Sequence, residues 1–291
     1  MNDATALATA ILAAGTITSP ANTRVRQASR LRDSASRRET GLTLVDGQRE
    51  LTRCLAAGQE VVEVFVTDAV LADLDQPHHA PLVNLLANLN ASGIPLVPLA
   101  ERPFSRIAFG SRNEGVVGVV RFRAADLTTF RPHAKRPVFI LESLEKPGNI
   151  GAILRSADAA GFGGVILCGS GTDPANPAVI RASLGTVFSL PLASDATAAV
   201  IGWCQKHQRL VTAATPTGSC PWHKADLSQA TILLGSEAHG ISSAWGTAAA
   251  AGQLQLQAVS LPMLGIADSL NVSATAAVLA YESLRQRQLL Q

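Results

Sequence analysis

Apolar positions along this 291-residue chain follow two different spacings. Short runs of β-branched and aliphatic residues, which indicate strands, occupy 42–45, 61–66, 94–99 and 116–122. Leucines that repeat every three to four positions, as over 81–91, indicate helices between these strands. Two earlier helices are predicted over 4–14 and 23–38. The front of the chain is therefore predicted to form an alternating α/β unit.

The back of the chain contains strands that are predominantly apolar. These runs occupy 138–141, 165–168, 210–213, 232–234 and 254–261. Such strands are buried on both faces and indicate a parallel sheet with helices on either side. Helices are predicted from Asn149, over 195–207 and from near Leu270. A ligand is expected at the carboxyl ends of the strands, where α/β sheets bind their ligands.

A segment with Pro132 and several basic residues separates the two patterns and indicates a linker. We therefore expect an N-terminal extension over 1–22, a smaller α/β domain over 23–123, a linker over 124–136 and a parallel-sheet domain over 137–291. A chain of this length is long enough for two hydrophobic cores.

Charge is distributed unevenly, although the formal net charge is only +2. Residues 1–136 carry 16 Lys and Arg against 13 Asp and Glu, and residues 137–291 carry 8 against 9. One basic cluster comprises Arg24, Arg26, Arg30, Arg32, Arg37, Arg38, Arg49 and Arg53. A second comprises Arg102, Arg106, Arg112, Arg121, Arg123, Arg131, Lys135 and Arg136. Arginine pairs well with phosphate, so the front favours nucleic-acid recognition, with surface ion pairs as the alternative.

The cysteines and histidines predict no metal site. Cys54, Cys168, Cys204 and Cys220 show no C-x-x-C spacing and lie among apolar residues, which indicates buried, reduced thiols. The histidines are scattered and are predicted to be surface or capping residues.

Targeting signals are weak. The chain begins Met-Asn-Asp, without the basic start of a signal peptide. The arginines and serines of 24–38 faintly resemble a transit peptide, which leaves organelle targeting open. The uncharged stretch between Gly240 and Ala267 is too often interrupted by polar residues, Gly and Pro for a membrane span. A cytoplasmic protein without a membrane partner is expected.

Three strand ends carry residues suited to chemistry. Residues 145–155 read EKPGNIGAILR, in which Asn149 is expected to cap a helix and Arg155 follows on that helix. Residues 234–242 read LGSEAHGIS, a loop whose amides can wrap a nucleotide. Residues 261–273 read LPMLGIADSLNVS, in which Asp268 or Ser269 is expected to cap the last helix. For each stretch an ordinary structural turn is the alternative, with an Arg155–Asp158 helix pair in the first.

A competing motif lies at 165–173, which reads VILCGSGTD. A strand followed by G-x-G resembles the cofactor loop of a Rossmann-type methyltransferase. The third glycine is absent and no helix is predicted directly after it. This alternative predicts that Gly169 or Gly171, instead of Gly235, is needed for cofactor binding.

Taken in order, the three strand ends resemble the three motifs of the SpoU/TrmH family of RNA ribose methyltransferases, part of the SPOUT superfamily. The matching patterns are Asn149-x-Gly151-x-x-x-Arg155, then 234–240, then 261–273. The front of the chain more loosely resembles the family's substrate-binding domain, which is similar to a ribosomal-protein-like RNA-binding module.

The resemblance implies a methyltransferase domain with a trefoil knot that binds S-adenosylmethionine, in a homodimer that methylates ribose 2′-hydroxyls of structured RNA. Carried over by position, the cofactor-binding residues are Gly235, Glu237, Gly240, Leu261, Met263 and Leu270. The implied catalytic residues are Asn149, Arg155, Ser269 and Asn271. Ribosomal RNA is favoured over transfer RNA because a separate basic domain precedes the catalytic one. A non-catalytic RNA-binding protein that keeps the fold is the alternative.

Arg155 has two possible roles under this resemblance. The family view makes it a base, yet lowering a guanidinium pKa from about 12.5–13.8 to about 7 costs on the order of 8 kcal/mol. The other role is a clamp that holds the phosphate of the target or polarises its 2′-oxygen.

Overall fold

A computed structural model describes residues 3–109 and 114–289, which form two compact units. One unit is Met1–Arg123 together with Ala175–Phe188, and the other is Ala124–Pro174 together with Ser189–Gln291. The basic residue Arg112 of the second cluster lies outside the described residues.

The described residues contain twelve α-helices and eleven strands. The helices are α1 (Asp3–Leu12), α2 (Thr23–Arg30), α3 (Ser34–Thr40), α4 (Gln48–Ala56), α5 (Asp68–Ala72), α6 (Ala80–Ala91), α7 (Glu101–Phe104), α8 (Pro147–Ala159), α9 (Pro177–Ala182), α10 (Thr197–Lys206), α11 (Ser243–Ala250) and α12 (Val272–Leu289). The strands are β1 (Leu42–Asp46), β2 (Glu60–Thr67), β3 (Leu96–Leu99), β4 (Val116–Arg121), β5 (Val138–Glu142), β6 (Gly164–Cys168), β7 (Leu192–Asp195), β8 (Leu210–Ala214), β9 (Cys220–Pro221), β10 (Thr231–Leu234) and β11 (Gln255–Ser260).

The N-terminal unit contains a four-stranded mixed sheet in the order β1-β4-β2-β3. β4 runs antiparallel to β1 and β2, and β2 runs parallel to β3. Phe65 on β2 and Phe104 on α7 are fully buried in its core with Val25 of α2. Because these strands are buried, their runs of β-branched residues could be predicted as strands from the sequence.

The predicted helix over 23–38 is wrong in its length, because α2 and α3 are separate helices. The side chain of Arg37 is buried, and its Nη1 donates to the carbonyls of Leu31 at 2.9 Å and Arg32 at 2.8 Å. These carbonyls lie in the turn after α2, where backbone acceptors lack helical partners. A basic residue of the predicted cluster therefore stabilises a helix break.

The stretch Ala175–Phe188 belongs structurally to the N-terminal unit although it lies far along the chain. Arg181 of α9 pairs with the buried Asp46 at 2.8 Å, and Thr43 donates to the Ala175 carbonyl at 2.5 Å. Phe188 packs edge-on against Phe122 with ring centroids 5.0 Å apart. The sequence pattern did not indicate this insertion.

The C-terminal unit contains a seven-stranded sheet in the order β7-β6-β5-β10-β8-β11-β9. Every pairing within it is parallel. The parallel sheet predicted from continuously apolar strands is therefore confirmed. The edge strands β7 and β9 were not predicted.

Three of the four cysteines are buried and all four are free thiols, as the spacing predicted. Burial raises the pKa of Cys54, Cys168 and Cys204 to about 12, so these thiols are neutral and unreactive. Cys220 is only half-buried. None of the described helices has the length and apolar character needed to cross a membrane.

Candidate functional site

A cavity of about 440 Å³ lies in the C-terminal unit where β8, β10 and β11 end and α12 begins. Its walls contain Ala214, Thr215, Pro216, Leu234, Gly235, Ser236, Glu237, Gly240, Ile241, Leu261, Met263, Asp268, Ser269, Leu270, Asn271, Val272 and Thr275. All six residues predicted to contact the cofactor are among them, together with Ser269 and Asn271. The cavity lies at the carboxyl edge of the parallel sheet, as expected for a ligand crevice.

The loop after β10 closes tightly on itself beside Gly235. Ser236 and Gly240 exchange backbone hydrogen bonds of 3.0 and 2.9 Å, and the Ser236 hydroxyl accepts from the His239 amide at 3.0 Å. A Cβ atom on Gly235 would lie 2.3 Å from the Gly240 carbonyl carbon and 2.5 Å from the Ile241 nitrogen. Only glycine therefore allows this loop to fold against the strand end.

Two asparagines join the three sequence motifs. The Asn149 amide donates to the Glu237 carboxylate, and Asn271 Nδ2 donates to Asn149 Oδ1 at 3.2 Å. These bonds connect α8, the loop after β10 and the start of α12. One residue from each motif is thus brought to one mouth of the cavity: Asn149, Glu237 and Asn271.

Both predicted helix starts are wrong. α8 begins at Pro147, so Asn149 lies within its first turn and is not its cap. α12 begins at Val272, and Asn271 caps it by accepting from the Ser273 amide at 2.8 Å and the Ser273 hydroxyl at 2.6 Å. Neither Asp268 nor Ser269 is the cap. The side chain of Asn149 is therefore not used as a helix cap, and it instead bonds to Glu237 and Asn271.

Arg155 is placed apart from the other candidate residues. It is exposed on α8, does not line the cavity, and makes no hydrogen bond or ion pair with any described residue. The alternative Arg155–Asp158 pair is also absent among residues 3–109 and 114–289, where Asp158 accepts from the Ser189 hydroxyl at 3.0 Å. Among the residues that the structure describes, no hydrogen bond or ion pair accounts for this arginine.

Glu142 is a buried carboxylate next to the loop after β10 that sequence reasoning missed. It is buried at the end of β5, where its carboxylate accepts from the Ser242 amide and the Ser242 hydroxyl at 2.8 Å each, and from Thr197 at 3.2 Å. These bonds anchor the far end of the loop that starts at Gly235. An acidic residue that ends an apolar strand was the available signal.

Replacing Glu142 with alanine is expected to lower the free energy of unfolding by about 1–3 kcal/mol, since the hydrogen bonds from Ser242 and Thr197 to a buried carboxylate are lost. It should also weaken ligand binding in the cavity, because the loop end is released. Chemical denaturation followed by calorimetric titration of S-adenosylmethionine would measure both.

The matched control is Glu142→Gln, which keeps the size of the side chain and one acceptor oxygen for the Ser242 amide. It should retain both stability and affinity. Equal losses in the alanine and glutamine variants would show that the negative charge matters, and unchanged behaviour of the alanine variant would contradict the anchoring role.

The competing G-x-G motif has a structural explanation. A Cβ atom on Gly169 would lie 2.3 Å from the Ser143 hydroxyl oxygen, and one on Gly171 would lie 2.7 Å from the Leu144 carbonyl oxygen. Neither glycine lines the cavity. These residues allow backbone segments to pack closely, and the observed geometry favours Gly235 as the ligand-facing glycine.

Most arginines of the first basic cluster have structural partners. Arg24 pairs with Glu63 at 3.0 Å, Arg49 pairs with Glu50 at 2.7 Å, and Arg53 donates to the Leu184 carbonyl at 2.7 Å. Three exposed side chains, Arg26, Arg30 and Arg38, have no partner within the described part of the chain. The charge available to an external ligand is therefore smaller than the sequence indicated.

One group of possible metal ligands lies outside the cavity, in the N-terminal unit. The ligand atoms of Asp73, His78 and His79 lie within 4.8 Å of one another, and His79 Nε2 is 3.4 Å from Asp73 Oδ1. Two of these residues are exposed. The direct contact between the His79 ring and the Asp73 carboxylate accounts for their proximity.

Family comparison agrees with this geometry. The SpoU rRNA Methylase family matches residues 136–281, half of the chain. The chain belongs to the SpoU rRNA methylase family. An MRM3-like substrate binding domain matches residues 22–118 of this SpoU methylase.

Relatives and solved structures resemble this SpoU methylase over most of its length. Over 202 residues it is 35% identical to the 23S rRNA (uridine(2479)-2'-O)-methyltransferase of Streptomyces viridochromogenes. The matched residues cover 65% of this chain and 67% of that protein. A solved RNA 2'-O ribose methyltransferase is 34% identical, with a TM-score of 0.77 and coverage of 94% and 99% of the two chains. An AdoMet-bound rRNA methyltransferase from Sinorhizobium meliloti is 26% identical, with a TM-score of 0.79 and coverage of 93% and 97%.

The family resemblance drawn from the three motifs is confirmed, as is an α/β fold with a parallel-sheet methyltransferase domain and a separate substrate-binding domain. The trefoil knot, the domain boundaries and the roles of individual residues stay predictions.

Proposed function

We propose that this SpoU methylase transfers a methyl group from S-adenosylmethionine to a ribose 2′-hydroxyl of structured RNA, with ribosomal RNA favoured over transfer RNA. The observation that carries the proposal is the hydrogen-bonded set Glu237–Asn149–Asn271 at the mouth of the cavity. It unites three motifs that are far apart in the sequence. The names of the relatives support ribosomal RNA as the substrate.

The cavity fits S-adenosylmethionine in size and chemistry. Its volume lies within the range of about 300–1,000 Å³ typical of small-molecule sites. Leu261, Leu270 and Ile241 supply apolar walls suited to an adenosyl group, and the loop from Gly235 to Gly240 supplies backbone polar groups. When bound, S-adenosylmethionine supplies an electrophilic methyl group on a sulfonium.

The neutral side chains at the mouth are suited to positioning a ribose. Asn149 and Asn271 hold each other in fixed orientations, and Ser269 is exposed beside them. Amides and hydroxyls both donate and accept hydrogen bonds, so they can fix a 2′-hydroxyl without adding charge. Holding the oxygen in line with the methyl group supplies a large part of the rate enhancement.

Arg155 is proposed to clamp a phosphate of the target RNA or to polarise the 2′-oxygen. Its lack of partners among the described residues leaves the guanidinium available to an external oxyanion, which arginine binds in two-pronged fashion.

Replacing Arg155 with lysine is therefore expected to lower turnover by about tenfold, because lysine keeps the charge but loses the planar fork. Affinity for S-adenosylmethionine should be unchanged, since Arg155 does not line the cavity. Initial rates of methyl transfer at saturating cofactor, with calorimetric cofactor titration, provide the measurement. A normal rate of methyl transfer would show that the planar guanidinium of Arg155 has no role in the reaction.

A homodimer is part of the proposal. Leu264 and Ile266 lie in the 261–271 segment beside the cavity and are fully exposed, with relative exposures of 98% and 104%. Tyr281 on α12 is also exposed. Exposed apolar side chains next to a site are typical of interfaces. A cytoplasmic location and a trefoil knot in this unit are proposed from the family likeness.

The alternative is a non-catalytic RNA-binding protein that keeps the fold. Titration calorimetry with S-adenosylmethionine, followed by transfer of a labelled methyl group to ribosomal or transfer RNA, separates the two. We expect saturable cofactor binding and greater labelling of ribosomal RNA. RNA binding without cofactor binding would favour the alternative.

A further inference from the structure

A second cavity, of about 710 Å³, lies along one face of α10 in the C-terminal unit. It is lined by Leu127, Thr128, Phe130, Arg131, Pro132, Asp195, Ala199, Gly202, Trp203, Lys206, His207 and Arg209. The lining residues of α10 recur every three to four positions, and the segment 127–132 forms the opposite wall. We call this feature the α10 groove. It shares no lining residue with the cofactor cavity.

The α10 groove is strongly basic. Arg131, Lys206, His207 and Arg209 line it, against one acidic lining residue, Asp195. One oxygen of Asp195 accepts from the amide of the residue that follows it, at 2.8 Å. None of the three permanent cations forms an ion pair within residues 3–109 and 114–289. No ion pair among these described residues therefore neutralises their charge.

Both arginines are held in place by neutral acceptors. Arg131 Nη1 donates to the carbonyls of Thr128 at 2.8 Å and Phe130 at 3.0 Å. Arg209 Nε donates to the Thr231 hydroxyl at 2.7 Å. Bonds of this kind fix the position of a guanidinium and leave its full positive charge for another group. Lys206 and Arg131 are exposed at the rim.

The imidazole of His207 is affected by this charge. Partial burial lowers the pKa of His207, and the nearby Lys206, Arg209 and Arg131 lower the pKa further. The His207 ring packs on the Trp203 ring with the two ring centroids 4.9 Å apart. Trp203 is buried and forms the floor of the groove. The groove thus has an apolar floor and a positively charged rim.

We propose that the α10 groove binds the phosphodiester backbone of the RNA substrate, away from the methyl-transfer site. This inference rests on the proposed function, because it names a second contact with the same RNA. Unpaired cations around a groove attract a polyanion, and each phosphate contact releases counterions. A backbone contact holds the RNA in register without reading its bases.

The test compares the double variant Arg131→Ala/Lys206→Ala with the wild type. A fluorescently labelled RNA hairpin is titrated over a range of salt concentrations, since backbone contacts do not depend on sequence. We expect affinity to fall by about tenfold and the slope of log affinity against log salt to fall by roughly two. Lys224→Ala, an exposed lysine of the same unit that does not line the groove, should change neither.

Calorimetric affinity for S-adenosylmethionine and the unfolding midpoint should match the wild type in the double variant, which excludes a folding defect. The charge-keeping variant Arg131→Lys/Lys206→Arg should retain RNA affinity. Unchanged RNA affinity and salt slope in the alanine variant would overturn the proposal. A binding defect seen only with ribosomal particles and not with naked RNA would also overturn it, because that result would indicate an acidic protein partner. Failure of the wild type to bind any RNA would contradict the proposed function instead.

Discussion

Replacing Gly235 with alanine is expected to abolish measurable binding of S-adenosylmethionine. The new Cβ atom would lie 2.3 Å from both the carbon and the oxygen of the Gly240 carbonyl, and these atoms are backbone. Backbone cannot swing aside as a flexible side chain can, so the loop must move away from the strand end. That loop lines the cavity through Ser236, Glu237 and Gly240. Titration calorimetry measures the loss.

Gly246→Ala is the matched control for this variant. Gly246 lies within the helix α11, and a Cβ atom there would meet no atom within 4 Å. Alanine is the more favourable residue inside a helix, so stability should not fall. Near-normal cofactor affinity in Gly235→Ala would contradict the placement of the cofactor in this cavity. The same affinity loss in both variants would show that the assay reports folding instead.

Replacing Asn149 with alanine is expected to lower turnover by on the order of 10²–10³, the range found when one positioned donor is removed from an active site. The change removes the amide that bridges the Glu237 carboxylate and the Asn271 amide. Fold stability should be maintained, because Asn149 lies inside α8 and alanine has the higher helix propensity. Single-turnover rates at saturating RNA and cofactor give the measurement.

The corresponding Asn271→Ala variant is less informative. It removes the cap of α12 as well, which costs about 1 kcal/mol of stability. The control for Asn149→Ala is Asn88→Ala, which makes the same substitution at an exposed position of α6. A normal rate for Asn149→Ala would remove this residue from the catalytic group, and a stability loss with an unchanged rate would make its role structural.

The parallel sheet was predictable because burial on both faces leaves a local signal, a nearly continuous run of apolar residues in the central strands β5, β6 and β10. Helix starts were less predictable. Asn149 and Asn271 both stand near the start of a helix, and only Asn271 caps one. Pro147 occupies the first position of α8, which was the local sign that this helix starts before Asn149.

The role of charged residues was predictable least of all. Arg37 and Arg38 are neighbours in one basic cluster, yet Arg37 is buried against carbonyls and Arg38 is exposed without a partner among the described residues. The insertion of Ala175–Phe188 into the N-terminal unit depends on Asp46 and Thr43, more than 100 residues earlier. Such long-range pairing leaves no periodic pattern in the sequence.

The family motifs identified the cavity better than composition or periodicity could. Gly235, Glu237 and Asn271 lie far from Asn149 in sequence, and only their order and spacing indicated that they meet. Glu142 was missed because its contribution is to hold Ser242 in place. Sequence reasoning therefore did not identify this residue, whose contribution is to hold another residue in place.

Nucleoside analysis of labelled RNA tests the central claim most directly. The protein is incubated with ribosomal RNA and S-adenosylmethionine labelled in its methyl group, and the RNA is digested to nucleosides and separated by mass. The account predicts label in a 2′-O-methylated nucleoside, and none with Gly235→Ala. Label in a base-methylated nucleoside, or no label from protein that binds the cofactor, would contradict it.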